Sequence, residues 1–274
     1  MILYKLLVLF IGCWCCCACN TSKKEDVKLS FNDMGYDSTG LFVYSVKQTD
    51  SNNIILNIDT LGLFCSDVIM SIQDGQRYSQ WQFLTADSDQ KYKVKEDSHH
   101  NSFSGIESCD SELFIHPARD CYRILQFCPY PYFKNKEIGG TWNWSFDVGS
   151  IWAIDSLYPI KTVTTFKIEY KLKDTATLKT KFGDLFCYHI VAISTSQFGT
   201  ANASYFLNNT YGLVYFILKT TNKLSFEFEL LSKVQGIDGI KCNKYFLWQY
   251  NYWKNNKKAN GIIGTTFAAT LLNP

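Results

Sequence analysis

Proline is scarce in this 274-residue chain, five in all, and histidine is scarcer still at four. Charge of one sign is missing as well. There are 27 Lys and Arg against 25 Asp and Glu, a formal net charge of +2, and the basic residues are spread out instead of gathered into a stripe. The electrostatic footprint of a nucleic-acid binder is therefore excluded. After Cys19 no apolar run reaches the roughly 20 residues that a membrane-spanning helix requires. No window of a dozen residues carries a convincing helical period, so helices are not expected. The motifs G-x-S-x-G and H-E-x-x-H and a phosphate-binding loop are all missing, so the sequence names no reaction.

Aromatic residues are what the chain has in excess. It holds 17 Tyr, 20 Phe and 7 Trp, 16% of the whole, within a hydrophobic content of 46%. Such side chains suit a pleated, half-buried surface and predict a β-rich globular protein. A body of about 250 residues makes one large domain or two small ones.

Eleven cysteines are placed unevenly, and five of them fall between Cys13 and Cys19. Leu6 to Ala18 is a thirteen-residue run of apolar residues and Cys behind a basic start at Lys5. It is too short to span a bilayer and right for the core of a secretory signal. A signal ending at Cys resembles the bacterial lipoprotein class, whose thiol is acylated before a peptidase cuts just ahead of it. Cys19, behind Ala18, is the favoured lipidation site. Cys13, behind Gly12, is the alternative, but it leaves only Leu6 to Ile11 as a core, short of the roughly 7–15 residues expected. Adjacent Cys15, Cys16 and Cys17 cannot all face one ion, so no metal is assigned. Residues 1–18 are thus expected to be a signal and residues 19–28 a flexible polar tether. Lys24, Glu25 and Asp26 also look like the charged export tags of surface lipoproteins in the Bacteroidota. The expected location is the cell envelope, with the body exported and lipid-anchored to the outer membrane.

Six cysteines follow the tether. Cys109, Cys121 and Cys128 lie close in sequence and are candidates for one disulfide, as an exported chain permits. Cys65 and Cys187 sit inside apolar runs and are expected to be buried small hydrophobes.

Strand-like runs recur from Leu41 to Val46, Ile54 to Ile58, Leu61 to Cys65, Asp67 to Ile72 and Tyr78 to Leu84, while Ala86 to Gly105 is polar and reads as loop. The later half is clearer. Thr164 to Leu172 alternates, placing Phe166, Ile168, Tyr170 and Leu172 on one face. Leu185 to Ile193, Ser204 to Leu207, Gly212 to Ile217 and Ser225 to Leu231 follow, joined by short polar turns. Links this short predict an antiparallel meander. The expected fold class is all-β, with meander sheets forming a sandwich or half-open barrel and a candidate division into two β halves. The body divides into an N-terminal β region (29–128), a C-terminal meander (129–235) and an aromatic extension (236–274), whose segment Lys244 to Lys254 is expected to be a last strand or an edge cover.

Between the halves lies a distinctive stretch. It runs through His116-Pro117-Ala118-Arg119, Leu125-Gln126-Phe127-Cys128-Pro129-Tyr130-Pro131-Tyr132 and Gly139-Gly140-Thr141-Trp142-Asn143-Trp144, and is expected to pack across both halves as a connector. These segments, with Gly183 to Ile190, Tyr205 to Asn208 and Tyr211 to Val214, resemble an uncharacterised family of Bacteroidota lipoproteins. Its members carry His-Pro-Pro-Arg-like, Leu-x-x-x-Pro-[FY]-Pro and Gly-x-x-Trp-x-Trp segments before a closing meander. The resemblance spans about residues 40 to 232; Ala118 replaces the second proline, and Gly236 to Pro274 has no counterpart. It implies an all-β lipoprotein, distantly similar in its curved sheet to periplasmic lipid and lipoprotein carriers.

Candidate ligand contacts are Trp142, Trp144, Tyr130 and Tyr132, as a stacking platform for sugar or lipid, with Arg119 and His116 beside them; Asp120 could orient a base. His189 is expected to cap a surface or satisfy a core hydrogen bond, and His99-His100 lies in a polar loop. Asp147, Asp155 and Glu169 are carboxylates available for glycoside chemistry, although nothing selects them. No catalytic residue and no cofactor is assigned. The reading is a non-catalytic binding, carrier or structural module, joined to the membrane by its lipid, that takes a glycan, lipid or protein ligand. The alternative is an envelope hydrolase acting on glycans or lipids.

Overall fold

The computed structural model describes residues 29–70, 75–86, 92–95, 103–118, 121–154 and 156–256. Among them are thirteen strands. The first seven are β1 (Gly40–Thr49), β2 (Ile55–Ile69), β3 (Arg77–Ala86), β4 (Tyr92–Val94), β5 (Ser104–Ser108), β6 (Glu112–Ile115) and β7 (Tyr132–Lys134). The others are β8 (Thr141–Val148), β9 (Thr164–Thr180), β10 (Gly183–Ser196), β11 (Gly199–Asn208), β12 (Gly212–Lys219) and β13 (Ser225–Gln235), followed by the helix α1 (Lys244–Asn255). Every expected strand lies in or across one of these, and the segment read as loop holds β4 and the start of β5.

All strands join one sheet in the order β7-β6-β5-β3-β2-β1-β13-β12-β11-β10-β9-β8, with β4 on a side branch against β3. The two β regions do not form separate sheets. β1 pairs with β13 from Gly40↔Gln235 to Thr49↔Ser225 and with β2 on its other side, so a single sheet runs through both regions. The sheet curls into a nearly closed barrel, and of the two closures expected from the sequence it takes the half-open barrel. Its edge strands, β7 and β8, are consecutive in the chain. The alternation read in β9 is observed, with Thr164, Phe166, Ile168, Tyr170 and Leu172 buried and the residues between them exposed.

The registers define two ends. The proximal end carries Gly40, the Thr180–Gly183 turn and the Asn208–Gly212 turn. The distal end carries the turn after Thr49, the Ser196–Gly199 turn and the Thr220–Leu224 turn. Residues 29–36 plug the proximal end, where Leu29, Phe31, Met34 and Tyr36 are all buried. The Tyr36 hydroxyl accepts from the Leu213 amide at 2.9 Å, and the Tyr44 hydroxyl donates to the Leu213 carbonyl at 3.2 Å. Tyr36 also stacks on Phe42 with centroids 4.4 Å apart. The ring lies directly over Gly212, whose φ is +72° and whose missing Cβ would fall 2.5 Å from Tyr36 Cε2. Only glycine meets both conditions.

The segment expected to be a strand or edge cover is instead the helix α1. Asn243 caps it by accepting from the Phe246 amide at 2.9 Å. Phe246 and Tyr250, four residues apart, bury against Leu41, Val43, Phe64, Val68 and Leu84 on the outer face of β1–β3. Trp253 stacks on Tyr78 at 3.7 Å. Aromatic residues on the exposed side, Tyr245 and Trp248, hide the helical period from a sequence reading.

Replacing Gly212 by Ala should cost about 2 kcal/mol or more, from the left-handed backbone and the overlap with Tyr36; a urea melt with an unchanged slope would measure it. Burial also holds the Tyr36, Tyr44, Tyr170 and Tyr205 hydroxyls well above the ordinary tyrosine range. They stay neutral in the fold, while in the unfolded chain they ionise near pH ~10. Between those values the unfolded state binds fewer protons, so stability falls as pH rises. Thermal melts should show no tyrosine-linked loss up to about pH 9 and a steep loss above about pH 10, with a cohort of tyrosines ionising only as the chain unfolds.

Candidate functional site

The aromatic residues singled out in the sequence do converge, at the seam where the sheet's two edges meet. Trp142 on β8 donates its indole N–H to the Tyr132 carbonyl on β7 at 3.1 Å and stacks on Tyr170 with centroids 5.3 Å apart. Trp144 lies 5.3 Å from Tyr130 and 5.6 Å from Tyr132, and Phe146 lies 4.5 Å from Tyr130. His116 meets Tyr130 edge-on at 5.1 Å, and its Nδ1 lies 2.9 Å from the Pro117 carbonyl. Each aromatic pair adds about 0.5–1.5 kcal/mol beyond its buried area, so the seam closes through side chains where a backbone ladder is missing. The Gly139–Gly140 turn carries the β8–β9 ladder one step further, the Gly139 amide donating to the Leu172 carbonyl and the Leu172 amide to the Gly140 carbonyl.

The connector between β6 and β7 was expected to pack across the two regions, and it crosses the barrel's interior. Irregular backbone buried in this way needs partners for its carbonyls. The wall supplies them. Trp81 on β3 donates to the His116 carbonyl at 2.9 Å, Tyr205 on β11 to the Pro129 carbonyl at 2.6 Å, and Tyr170 on β9 to the Tyr130 carbonyl at 2.9 Å. Tyr122, on the same segment, hydrogen-bonds Asp59 and packs against Phe83 and Phe226. Phe127 stacks on Tyr158 at 3.9 Å in a second cluster with Phe166. The lumen is therefore occupied by the protein's own rings. Tyr130, Trp142 and His116 are buried within the seam, and Tyr132 and Trp144 are half-buried. The faces that would stack a sugar stack on one another instead. Arg119, Asp120, Asp155, His99, His100, Cys13 and Cys19 lie outside the described residues.

Cys109 and Cys128 carry free thiols, so no bridge forms among Cys109, Cys121 and Cys128, as had been considered from their spacing. Cys109 is exposed, Cys121 packs beside Trp81, and Cys128 is fully buried on the connector. Cys65 and Cys187 are buried as expected. Burial pushes the Cys128 thiol up to about 12 and those of Cys187 and Cys242 to about 11, leaving them poor nucleophiles.

One cluster went unread in the sequence. On the outer face of the wall, His189 Nδ1 lies 2.8 Å from Asp174 Oδ1 and His189 Nε2 lies 2.9 Å from Ser204 Oγ, with Phe206 stacked on the imidazole at 4.4 Å. Its members sit on β9, β10 and β11, and only the pairing of those strands unites them; outward alternation in each strand was the available signal. The connectivity is that of a hydroxyl nucleophile, a base and an orienting carboxylate. Acyl transfer also needs free donors aimed at a developing oxyanion. The strands around Ser204 are paired on both sides, which commits their amides to the ladder. The cluster staples three strands.

Among the described residues no group of three or more His, Cys, Asp or Glu could hold a metal. Asp147 accepts from Thr165 at 2.6 Å, and Glu169 is exposed opposite Ile193 and Asn143, so these two carboxylates do not flank a cleft. A hollow of about 250 Å³, lined by Leu178, Lys179, Thr180, Val214, Tyr215, Glu229 and Leu230, is an open depression.

No family model and no curated protein matches the chain. Among solved structures it is similar to the hypothetical lipoprotein YmcC from Escherichia coli K12, at 11% identity and a TM-score of 0.35, over 72% of this chain and 88% of that one. It is similar also to a Bacteroides fragilis protein with a YmcC-like fold, at 10% identity and a TM-score of 0.36, over 75% of this chain and 99% of that one. A LolA superfamily protein from Nitrosomonas europaea aligns at 9% identity and a TM-score of 0.30, over 79% of this chain and 94% of that one.

If the Ser204 cluster is a staple, a fluorophosphonate probe should leave Ser204 unmodified, and Ser204→Ala should lower stability by about 1 kcal/mol. Labelling of the native protein that Ser204→Ala and His189→Asn both abolish would instead assign an esterase-like activity.

Proposed function

We propose that the chain is an exported, lipid-anchored module of a bacterial cell envelope, held at the outer membrane by an acylated Cys19, and that it binds without catalysis. The observation that carries the binding mode is the filled lumen. The connector occupies the space in which a carrier would hold an acyl chain, and the hydrogen bonds from Trp81, Tyr170 and Tyr205 fasten it there. A glycan, lipid or protein ligand is therefore met on the outer surface. The signal-like run before Cys19 and the polar tether after it support the anchor. The first described residues lie across the proximal end, where the Ser30 amide donates to Asn209 Oδ1 at 3.2 Å, so the tether joins the body at that end.

The hydrolase reading has one observation in its favour, the Ser204–His189–Asp174 arrangement, and would also require free donors aimed at a developing oxyanion.

Metabolic labelling with a fatty-acid probe should mark the wild-type protein and fail on Cys19→Ala. Label that persists in Cys19→Ala and disappears in Cys13→Ala would move the anchor to Cys13. Organic extraction of the purified protein should release no stoichiometric lipid beyond the anchor. A lipid recovered at about one per chain from a non-acylated variant would overturn the filled-lumen reading.

A further inference from the structure

The distal end carries an apolar corner that the fold itself leaves unexplained. Ile54, Ile55, Leu56 and Ile58 are 59%, 55%, 52% and 60% exposed, at the tip of the β1–β2 hairpin. Successive side chains of a strand point to opposite faces, so neighbours that are all exposed mean that the strand stands clear of the body on both sides. The pairing agrees: β2 meets β3 only from Thr60 onward, leaving Ile55 to Asp59 with β1 as their partner among the described residues. Asp50 Oδ1 holds the turn by accepting from the Asn52 and Ile54 amides, both at 2.8 Å. The tip is a formed structure with aliphatic side chains turned outward.

The corner continues onto a second element. Asp59 bonds Tyr122, and the neighbouring Arg123 donates to the Ile151 carbonyl at 2.8 Å. Ile151 is 68% exposed and Val163, just before β9, is 67% exposed. Exposed cations surround these residues: Arg123 between the two elements, Lys161 beside Val163, and Lys219 and Lys223 on the adjoining β12–β13 turn. The described carboxylates at this end, Asp50, Asp59, Asp147 and Glu227, are each engaged internally, by the turn amides, by Tyr122, by Thr165 and by Lys47. A protruding, non-aromatic apolar tip ringed by lysine and arginine complements a surface that is negative outside and hydrocarbon beneath.

We propose that the distal end docks on an anionic phospholipid surface, inserting Ile54, Ile55, Leu56 and Ile58 at the headgroup boundary while Arg123, Lys161, Lys219 and Lys223 contact phosphates. The contact is independent of the N-terminal lipid and lies at the opposite end of the barrel from Leu29. Ten residues of β1 separate the two ends, roughly 33 Å at the rise of an extended strand. An anchored chain thus presents the tip either to a second membrane or, lying on its side, to its own.

The test uses the chain from residue 20 onward, which keeps every described residue and neither candidate lipidation site. Sedimentation with phosphatidylcholine vesicles containing phosphatidylglycerol should bind it, and phosphatidylcholine alone should bind it several-fold less. Ile55→Ser with Ile58→Ser should weaken binding about tenfold or more at an unchanged melting temperature, because both residues are already in water. Lys161→Gln with Lys223→Gln should weaken it several-fold and flatten its salt dependence. No binding to anionic vesicles, or equal binding by the serine variant, overturns the proposal. So does a wild-type chain that self-associates through the tip and ignores vesicles, which would make a second copy the occupant. Because the probe has no acylatable Cys19, failure here leaves the anchor reading untouched, and the reverse holds.

Discussion

Buried irregular backbone must find hydrogen-bond partners, and the segment between His116 and Tyr132 makes that demand in the middle of a β-barrel. Pro131 still reaches the sheet, its carbonyl accepting from the Ile115 amide on β6, but where the segment crosses the lumen its carbonyls have no strand beside them. Trp81, Tyr170 and Tyr205 answer from the wall, each with an aromatic body that fills space and a polar tip that reaches one carbonyl. Phenylalanine alone would fill the lumen and leave the carbonyls unpaired, at about 1–3 kcal/mol each.

The same segment sets how the barrel closes. It emerges from the lumen as β7, beside β8, with too few residues in β7 to build a long ladder. The seam is left to interlocking rings, with Trp142 riveting it to the Tyr132 carbonyl. An edge closed by side chains offers no row of free amides to another chain, which also protects the sheet from edge pairing. The two ends then differ. The proximal end is sealed by residues 29–36 over the Tyr36–Gly212 contact, and the distal end is left with an aliphatic corner in solvent.

The Ser204–His189–Asp174 cluster shows how far side-chain geometry alone can lead. Its distances match a catalytic relay, and it sits on a central part of the sheet where Ser204 pairs with Val191 on one side and Ile217 on the other. The ladder is interrupted beside it by bulges at His189/Ile190 and Phe206/Leu207, which skip Lys173 and Val214 and bend the wall. Distances alone therefore assign no reaction, and the oxyanion donors that acyl transfer requires are a separate condition.

Local pattern was enough for the all-β class, the alternation of β9, the meander from β9 to β13, the burial of Cys65 and Cys187, and the gathering of Tyr130, Tyr132, Trp142, Trp144 and His116. Each of these follows from local pattern: period-two burial, short polar turns, or aromatic and proline density within one stretch. Long-range pairing settled the rest: both β regions form one sheet, the aromatic cluster sits at the seam between its edges, Lys244–Asn255 is a helix, and Asp174, His189 and Ser204 meet. Those outcomes depend on which strands pair and what crosses the lumen, contacts between residues up to about two hundred positions apart, as in the pairing of Gly40 with Gln235. Local propensity carries no record of such distances. The aliphatic tip lies between the two cases, since Ile54 to Ile58 was legible as a strand, but its exposure was settled by where β3 stops pairing.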